Sequence, residues 1–287
     1  MAETVTAGTG SDDDSDQLVS IHEAARNCNV RQMRRALDAG ASPNDGSYYG
    51  QPPLLALCYL EPRNAHEARM ACLDLLRQSP DFDVNATDIG GDRAIHYLAL
   101  HAKTRDDLDF MQAVVDAGAD VNAATGHAKS TAIHWSIGEG YLPSTPGPIR
   151  AAKIDMLIRA GASVTARDRD GETPLDRAIW TVKKSSPSTE LGISERQIMR
   201  RVYPVLLAAG AALPAEASDP YLQRVIEAGS FANYARRHLD TLTNMLTPKP
   251  PPTDGPRRSR RRLSPLRRVP PEVHRKVAAF AFHVGYY

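Results

Sequence analysis

Cysteine is scarce in this 287-residue chain: Cys28, Cys58 and Cys72 are the full set, with no Cys-x-x-Cys pair and no histidine at zinc-ligand spacing beside them. Neither a disulfide framework nor a structural zinc site has support, and the three are expected to be small core residues. No apolar run approaches the roughly 18 residues that a membrane span needs. Met1 to Asp16 is acidic where a signal peptide would be basic and then apolar, so an intracellular, cytoplasmic protein is expected. No Gly-x-Gly-x-x-Gly follows a strand, and no Gly-x-x-x-x-Gly-Lys-Ser/Thr or Gly-x-Ser-x-Gly occurs, so backbone phosphate cradles and a serine nucleophile are missing. The expectation is a protein with no catalytic residue, no cofactor and no metal.

Net charge is also scarce, at +1, but its distribution is uneven. Residues 1–16 hold five acids and no base, whereas residues 247–287 hold ten bases against Asp254 and Glu272. An acidic, disordered arm (1–16), a balanced body and a basic tail are expected, an asymmetry that separates a folded part from interaction segments.

What the body has in abundance is repetition. One phrase recurs five times, as Ile21-His22-Glu23-Ala24, Pro53-Leu54-Leu55-Ala56, Ala94-Ile95-His96-Tyr97, Thr131-Ala132-Ile133-His134 and Thr173-Pro174-Leu175-Asp176-Arg177-Ala178. A second phrase follows each: Ala39-Gly40-Ala41, Asp81-Phe82-Asp83-Val84-Asn85, Ala117-Gly118-Ala119-Asp120-Val121-Asn122, Ala160-Gly161-Ala162 and Ala209-Gly210-Ala211.

Each unit reads as two short helices. A Thr173 hydroxyl can cap a helix start, and Pro174 fits the first turn, whose N–H has no intrahelical partner. Leu108, Met111, Val114 and Val115 form an apolar stripe at helical spacing, as do Ile154, Leu157 and Ile158. Gly40, Gly118, Gly161 and Gly210 supply the left-handed residue that stops the second helix. Strings such as Asp88-Ile89-Gly90-Gly91-Asp92 are turn formers leading to the next unit.

On these phrases the chain resembles the ankyrin-repeat family over roughly Gln17 to Pro214. Thr173-Pro174-Leu175-Asp176-Arg177-Ala178 is similar to its Thr-Pro-Leu-His-x-Ala, and Gly118-Ala119-Asp120-Val121-Asn122-Ala123 to its second signature. The resemblance implies an all-α solenoid of about five repeats (17–214) that serves as a binding surface. His22, His96 and His134 occupy the family's histidine position, which implies that they tie neighbouring turns together. Only the first interval keeps the unit length of about 33 residues; the insertions at 141–150 and 181–195 are expected to be loops. Residues 215–246 repeat no phrase and are expected to form a degenerate repeat or capping helices. Asp106, Asp107 and Asp109 read as the solvated first turn of a helix, facing its positive end.

The tail divides into a Pro/Arg-rich linker (247–262) and a final segment (263–287). Arg257 to Arg262 suits nuclear entry; nucleic-acid binding is not favoured, because no aromatic residues interleave the basic run. Pro270 and Pro271 suit a helix entrance, and Glu272 suits its positive end. Val273, Val277, Phe280, Ala281 and Val284 then line one helical face.

Val269-Pro270-Pro271-Glu272-Val273 with Lys276, Val277 and Phe280 resembles a truncated F-box. Irregular ankyrin repeats followed by such a segment resemble the ankyrin/F-box-like (PRANC) proteins of poxviruses, and the Ala-, Arg- and Pro-rich composition suits a parapoxvirus relative. The resemblance implies a monomeric adaptor without membrane association. Its tail would bind the Skp-type adaptor of a cullin-RING ubiquitin ligase, and its repeats would capture a host protein. Two alternatives stay open: a plain ankyrin scaffold or decoy with the last helix as a cap, and a SOCS-box-like tail that recruits elongins.

Overall fold

The structure, a computed structural model, describes residues 19–246 apart from 49, 60–64, 139–144 and 186–187. Among the described residues it is all-α, with an isolated antiparallel bridge between Thr87 and Arg93 and no strand. The acidic arm and everything beyond Leu246, including the linker and the F-box-like segment, lie outside the described residues.

Twelve helices are described. They are α1 (Ile21–Arg26), α2 (Val30–Asp38), α3 (Pro53–Tyr59), α4 (His66–Gln78), α5 (Ala94–His101) and α6 (Arg105–Asp116). The remainder are α7 (Ala132–Ile137), α8 (Gly147–Arg159), α9 (Pro174–Lys184), α10 (Glu190–Ala208), α11 (Pro220–Glu227) and α12 (Phe231–Leu246).

Their packing follows the phrase order. Each first-phrase helix pairs with the helix that follows it, and like stacks on like. One row runs α1, α3, α5, α7, α9, and a second runs α2, α4, α6, α8, α10. The core is the interleaf between the rows. Leu54, Ile95, Ile133 and Leu175, one from each of four successive units, are at most 2% exposed. They meet Leu73, Met111, Ile154 and Met199 from the second row, all at most 1% exposed. A unit this short cannot bury its apolar face alone, so stacking makes the core continuous.

Local chemistry sets the helix ends. Thr173 accepts the Asp176 N–H while the Asp176 carboxylate accepts the Thr173 N–H at 3.0 Å, a reciprocal cap ahead of Pro174. Gly118 and Gly161, at φ +97° and +93°, end α6 and α8 in the left-handed region that side chains disfavour.

The insertions are not simple loops. Gly147 to Arg150 form the first turn of α8, Thr181 to Lys184 finish α9, and Glu190 to Glu195 open a 19-residue α10. The added turns are helical because they have a surface to bury against: α10 packs along both α8 and α9. Residues 215–246 contain the pair α11 and α12, with Tyr221, Leu222, Val225 and Tyr234 buried. Tyr221 stacks on Tyr203 of α10 with ring centroids 6.3 Å apart, which covers the end of the stack.

Candidate interaction surface

Three histidines cross-link the units. His22 Nε2 donates to the carbonyls of Asp45 (2.6 Å) and Gln51 (3.0 Å), His96 Nε2 to Ala123 (2.8 Å), and His134 Nε2 to Glu172 (3.1 Å). On the other ring nitrogen, His96 Nδ1 accepts the Arg93 N–H and His134 Nδ1 accepts the Thr131 N–H. One nitrogen must donate and the other accept, so both rings are held neutral in a single tautomer. Burial moves their pKa values below the usual histidine range, against the carbonyl bonds that pull the other way. In the fifth unit Asp176 takes the place of the histidine and caps its own helix through the Thr173 hydroxyl at 2.8 Å.

A second ladder is made by asparagine. Asn44 donates to the Asp81 carbonyl at 2.6 Å and accepts the Asp83 N–H at 2.9 Å. Asn85 bridges Gly118 and Asp120 in the same way at 3.1 and 2.8 Å, and Asn122 bridges Gly161 and Ser163 at 3.0 and 2.7 Å. Each amide completes two backbone bonds in the following unit, which fixes the rotation between units.

The connecting turns are stiffened by carboxylates. Asp88 Oδ1 accepts the N–H groups of Gly90 (2.8 Å) and Asp92 (2.9 Å), while Tyr97 donates its hydroxyl to Oδ2 at 2.6 Å. Asp168 accepts from Asp170 and Glu172 at 3.0 Å and pairs with Arg177. Adjacent turns touch backbone to backbone, because a Cβ on Gly126 would lie 2.0 Å from the Gly90 carbonyl oxygen.

These fixed turns and the first-row helices present aromatic and cationic groups. Tyr48 is 38% exposed beneath the Arg26 guanidinium, and Trp180 is 42% exposed beneath Lys184. Between them the buried Tyr97 supports the part-buried Trp135 edge-on, with centroids 6.3 Å apart. Ile89, at the tip of its turn, is 88% exposed. On the second row, α8, α10 and the start of α12 line a groove of about 560 Å³, with Ala151, Ala152, Asp155, Pro204, Val205 and Phe231 on its walls.

Of the site residues expected from the sequence, the structure places His22, His96, His134, Thr173, Pro174, Leu175, Gly118 and Gly161 at unit junctions and helix ends. Val269, Pro270, Pro271, Glu272, Val273, Lys276, Val277 and Phe280 lie outside the described residues, as does Arg257 to Arg262. Among the described residues no group of histidine, cysteine, aspartate and glutamate could hold a metal ion, and no helix is long and apolar enough to cross a membrane. Cys28, Cys58 and Cys72 are buried, and burial pushes the Cys58 and Cys72 thiols up to about 12.

Asp107 is not the solvated first-turn acid that its neighbours suggest; Asp106 and Asp109 are exposed, but Asp107 is buried and bonded to Arg69 at 2.8 Å. Burial by itself would raise its carboxyl, yet bonds from the Lys103 N–H, Thr104 and Arg69 hold it below the usual range. Arg150 and Lys153 are likewise buried, Arg150 against Glu195 at 2.9 Å. Their spacing carried the signal: Arg150, Lys153, Ile154 and Leu157 fall at i, i+3, i+4 and i+7, on the face that α8 turns inward.

No family model matches the chain. It is similar to a probable serine/threonine-protein kinase of Dictyostelium discoideum, at 29% identity over 103 residues. That stretch is 36% of this chain and 11% of the kinase, so the chain spans about a tenth of the length of this relative.

Proposed function

We propose that this chain is a non-enzymatic ankyrin-repeat adaptor of the PRANC kind. Its repeats capture a protein partner, and its tail hands that partner to a cullin-RING ubiquitin ligase. The observation that carries the repeat part is the recurrence of the same cross-links at the same phrase positions. Histidine 22, 96 and 134 and asparagine 44, 85 and 122 each bond the backbone of the next unit. Such bonds rigidify turns and helices without consuming the exposed side chains of Tyr48 and Trp180. A rigid surface loses little entropy on binding.

The ligase part rests on the sequence pattern from Val269 to Phe280. It is supported by one structural relationship: α11 and α12 already cover the end of α10, so the stack has a cap without a further helix. The mechanism is proximity, since tethering a captured protein beside the ligase raises its effective concentration without any new catalytic group. The kinase named above has its activity in a far longer chain, and no phosphoryl transfer is proposed for this one.

The test is an affinity capture from mammalian cells with mass spectrometry, comparing the full chain with Pro271→Ala/Glu272→Ala/Val273→Ala/Val277→Ala. Equal folding of the two baits is checked by circular dichroism. The expected result is loss of the Skp adaptor and cullin from the variant, with other preys retained. A full chain that brings down no cullin overturns the ligase part, and capture of elongin in place of Skp replaces it with the SOCS-box alternative.

A further inference from the structure

A line of charges crosses four second-row helices, in the order Arg69 on α4, Asp107 on α6, Lys153 and Arg150 on α8, and Glu195 on α10; all are buried but Glu195, which is part-buried. Each carboxylate already holds a guanidinium. Asp107 Oδ1 takes Arg69 at 2.8 Å, while its Oδ2 accepts the Lys103 and Thr104 N–H groups and the Thr104 hydroxyl. Glu195 takes both terminal nitrogens of Arg150, at 2.9 and 3.4 Å, and Arg150 also donates to the Ile137 carbonyl that ends α7.

Lys153 is different. Its side chain is among the largest that are fully buried, at 1% exposure, and Nζ donates to the Ala99 carbonyl in the last turn of α5 at 2.6 Å. The groups around it come from several elements. From α5 come Ala99 and His101; from the connection to α6, Lys103; from α6, the Asp107 carboxylate. From its own helix comes Arg150, one turn earlier, whose guanidinium is already committed to the Ile137 carbonyl of α7 and to Glu195 of α10. With Lys153 protonated the line holds three cations against two anions, and with Lys153 neutral the charges balance.

We propose that Lys153 is a proton-operated latch between the third and fourth helix pairs: neutral, it closes the seam where α8 meets the end of α5, and protonation loosens that seam. With Ala99 accepting one bond, a neutral amine has one N–H left over, whereas a buried ammonium has two and a full charge, with both carboxylates of the line already committed to guanidinium groups. In agreement, burial lowers the Lys153 pKa to about 7, with repulsion from Arg150 and Lys103 adding to it and Asp107 opposing. The latch is a property of the stack and does not depend on which partner the adaptor binds.

The direction of the pH effect follows. The folded pKa lies below the ordinary 10.5, so the unfolded chain binds more protons between these values and stability rises with pH across that window. Below about pH 7 both states are protonated and the full penalty stands. Two measurements on the full chain test this. The first is an NMR titration of the assigned Lys153 ¹³Cε resonance in the wild type, which needs no variant to fold. A midpoint within about a unit of 7 is expected, and a midpoint above 9 overturns the proposal. The second is urea unfolding at pH 7.0 and 8.5 of the wild type and Lys153→Met. The wild-type unfolding constant should fall on the order of tenfold more than that of the variant over this interval. Equal pH dependence of the two proteins also overturns it.

Discussion

Arg69 and Asp107 meet at 2.8 Å across α4 and α6, with both side chains only 7% exposed. The Arg69 guanidinium also lies 4.0 Å from the centroid of the Phe110 ring, so one charge is held by a carboxylate and an aromatic face together. Nothing in the local sequence around either residue joins them; the second row of helices does.

Removing one partner leaves the other buried and uncompensated. Arg69→Met is expected to destabilise the chain by about 3–5 kcal/mol, and Arg69→Met/Asp107→Leu by less than the sum of the two single changes. Urea unfolding of the four proteins in a double-mutant cycle measures this. Strict additivity would show that the pair is not coupled.

The asparagine ladder gives a graded prediction. Asn122→Ala removes the bonds to Gly161 and Ser163, and Asn85→Ala those to Gly118 and Asp120. Because these sites are solvent-accessible, water replaces much of what is lost. A cost of about 1–2 kcal/mol each is expected, with faster amide exchange at Ser163 or Asp120 respectively.

Two glycines should respond differently to alanine. At Gly118 no atom lies within 4 Å of an added Cβ, so Gly118→Ala meets only the strain of φ +97° and should cost about 1–2 kcal/mol. At Gly126 the Cβ would meet the Gly90 carbonyl oxygen at 2.0 Å, and two turns must separate. Gly126→Ala is expected to lose as much or more, about 1–3 kcal/mol, and to disturb the chemical shifts of residues 88–92 in the neighbouring turn.

Acid should weaken the junctions through His96 and His134. Burial leads the lowering of both pKa values, so the unfolded chain takes up protons first as pH falls below the ordinary 6.5. The histidine contribution to stability is therefore complete above that value and declines with acidification until the folded pKa values are passed. His96→Gln should flatten this part of the curve of unfolding midpoint against pH. A slope between pH 7 and 5 that is unchanged in the variant would count against the assigned neutral tautomer.

The units were legible because they are local. A helix cap such as Thr173 with Asp176, a glycine stop such as Gly161 and an apolar stripe such as Leu108, Met111 and Val114 are decided within one or two turns of chain. Residues so close in sequence leave their spacing as a record. The insertions, which the sequence suggests are loops, are helical in part for the opposite reason. Residues 190–195 have no strong stripe of their own, and they are helical because α8 and α9 offer them a surface.

By itself, then, the sequence determined the helix pairs, their order, the histidine positions between them, and the charge contrast between body and tail. Only the tertiary structure decided which polar groups were to be buried. Arg69 and Asp107 are 38 residues apart, Arg150 and Glu195 are 45, and Lys153 and Ala99 are 54. Separations of that size are closed by stacking one unit on the next, and the low dielectric created there makes such charges consequential.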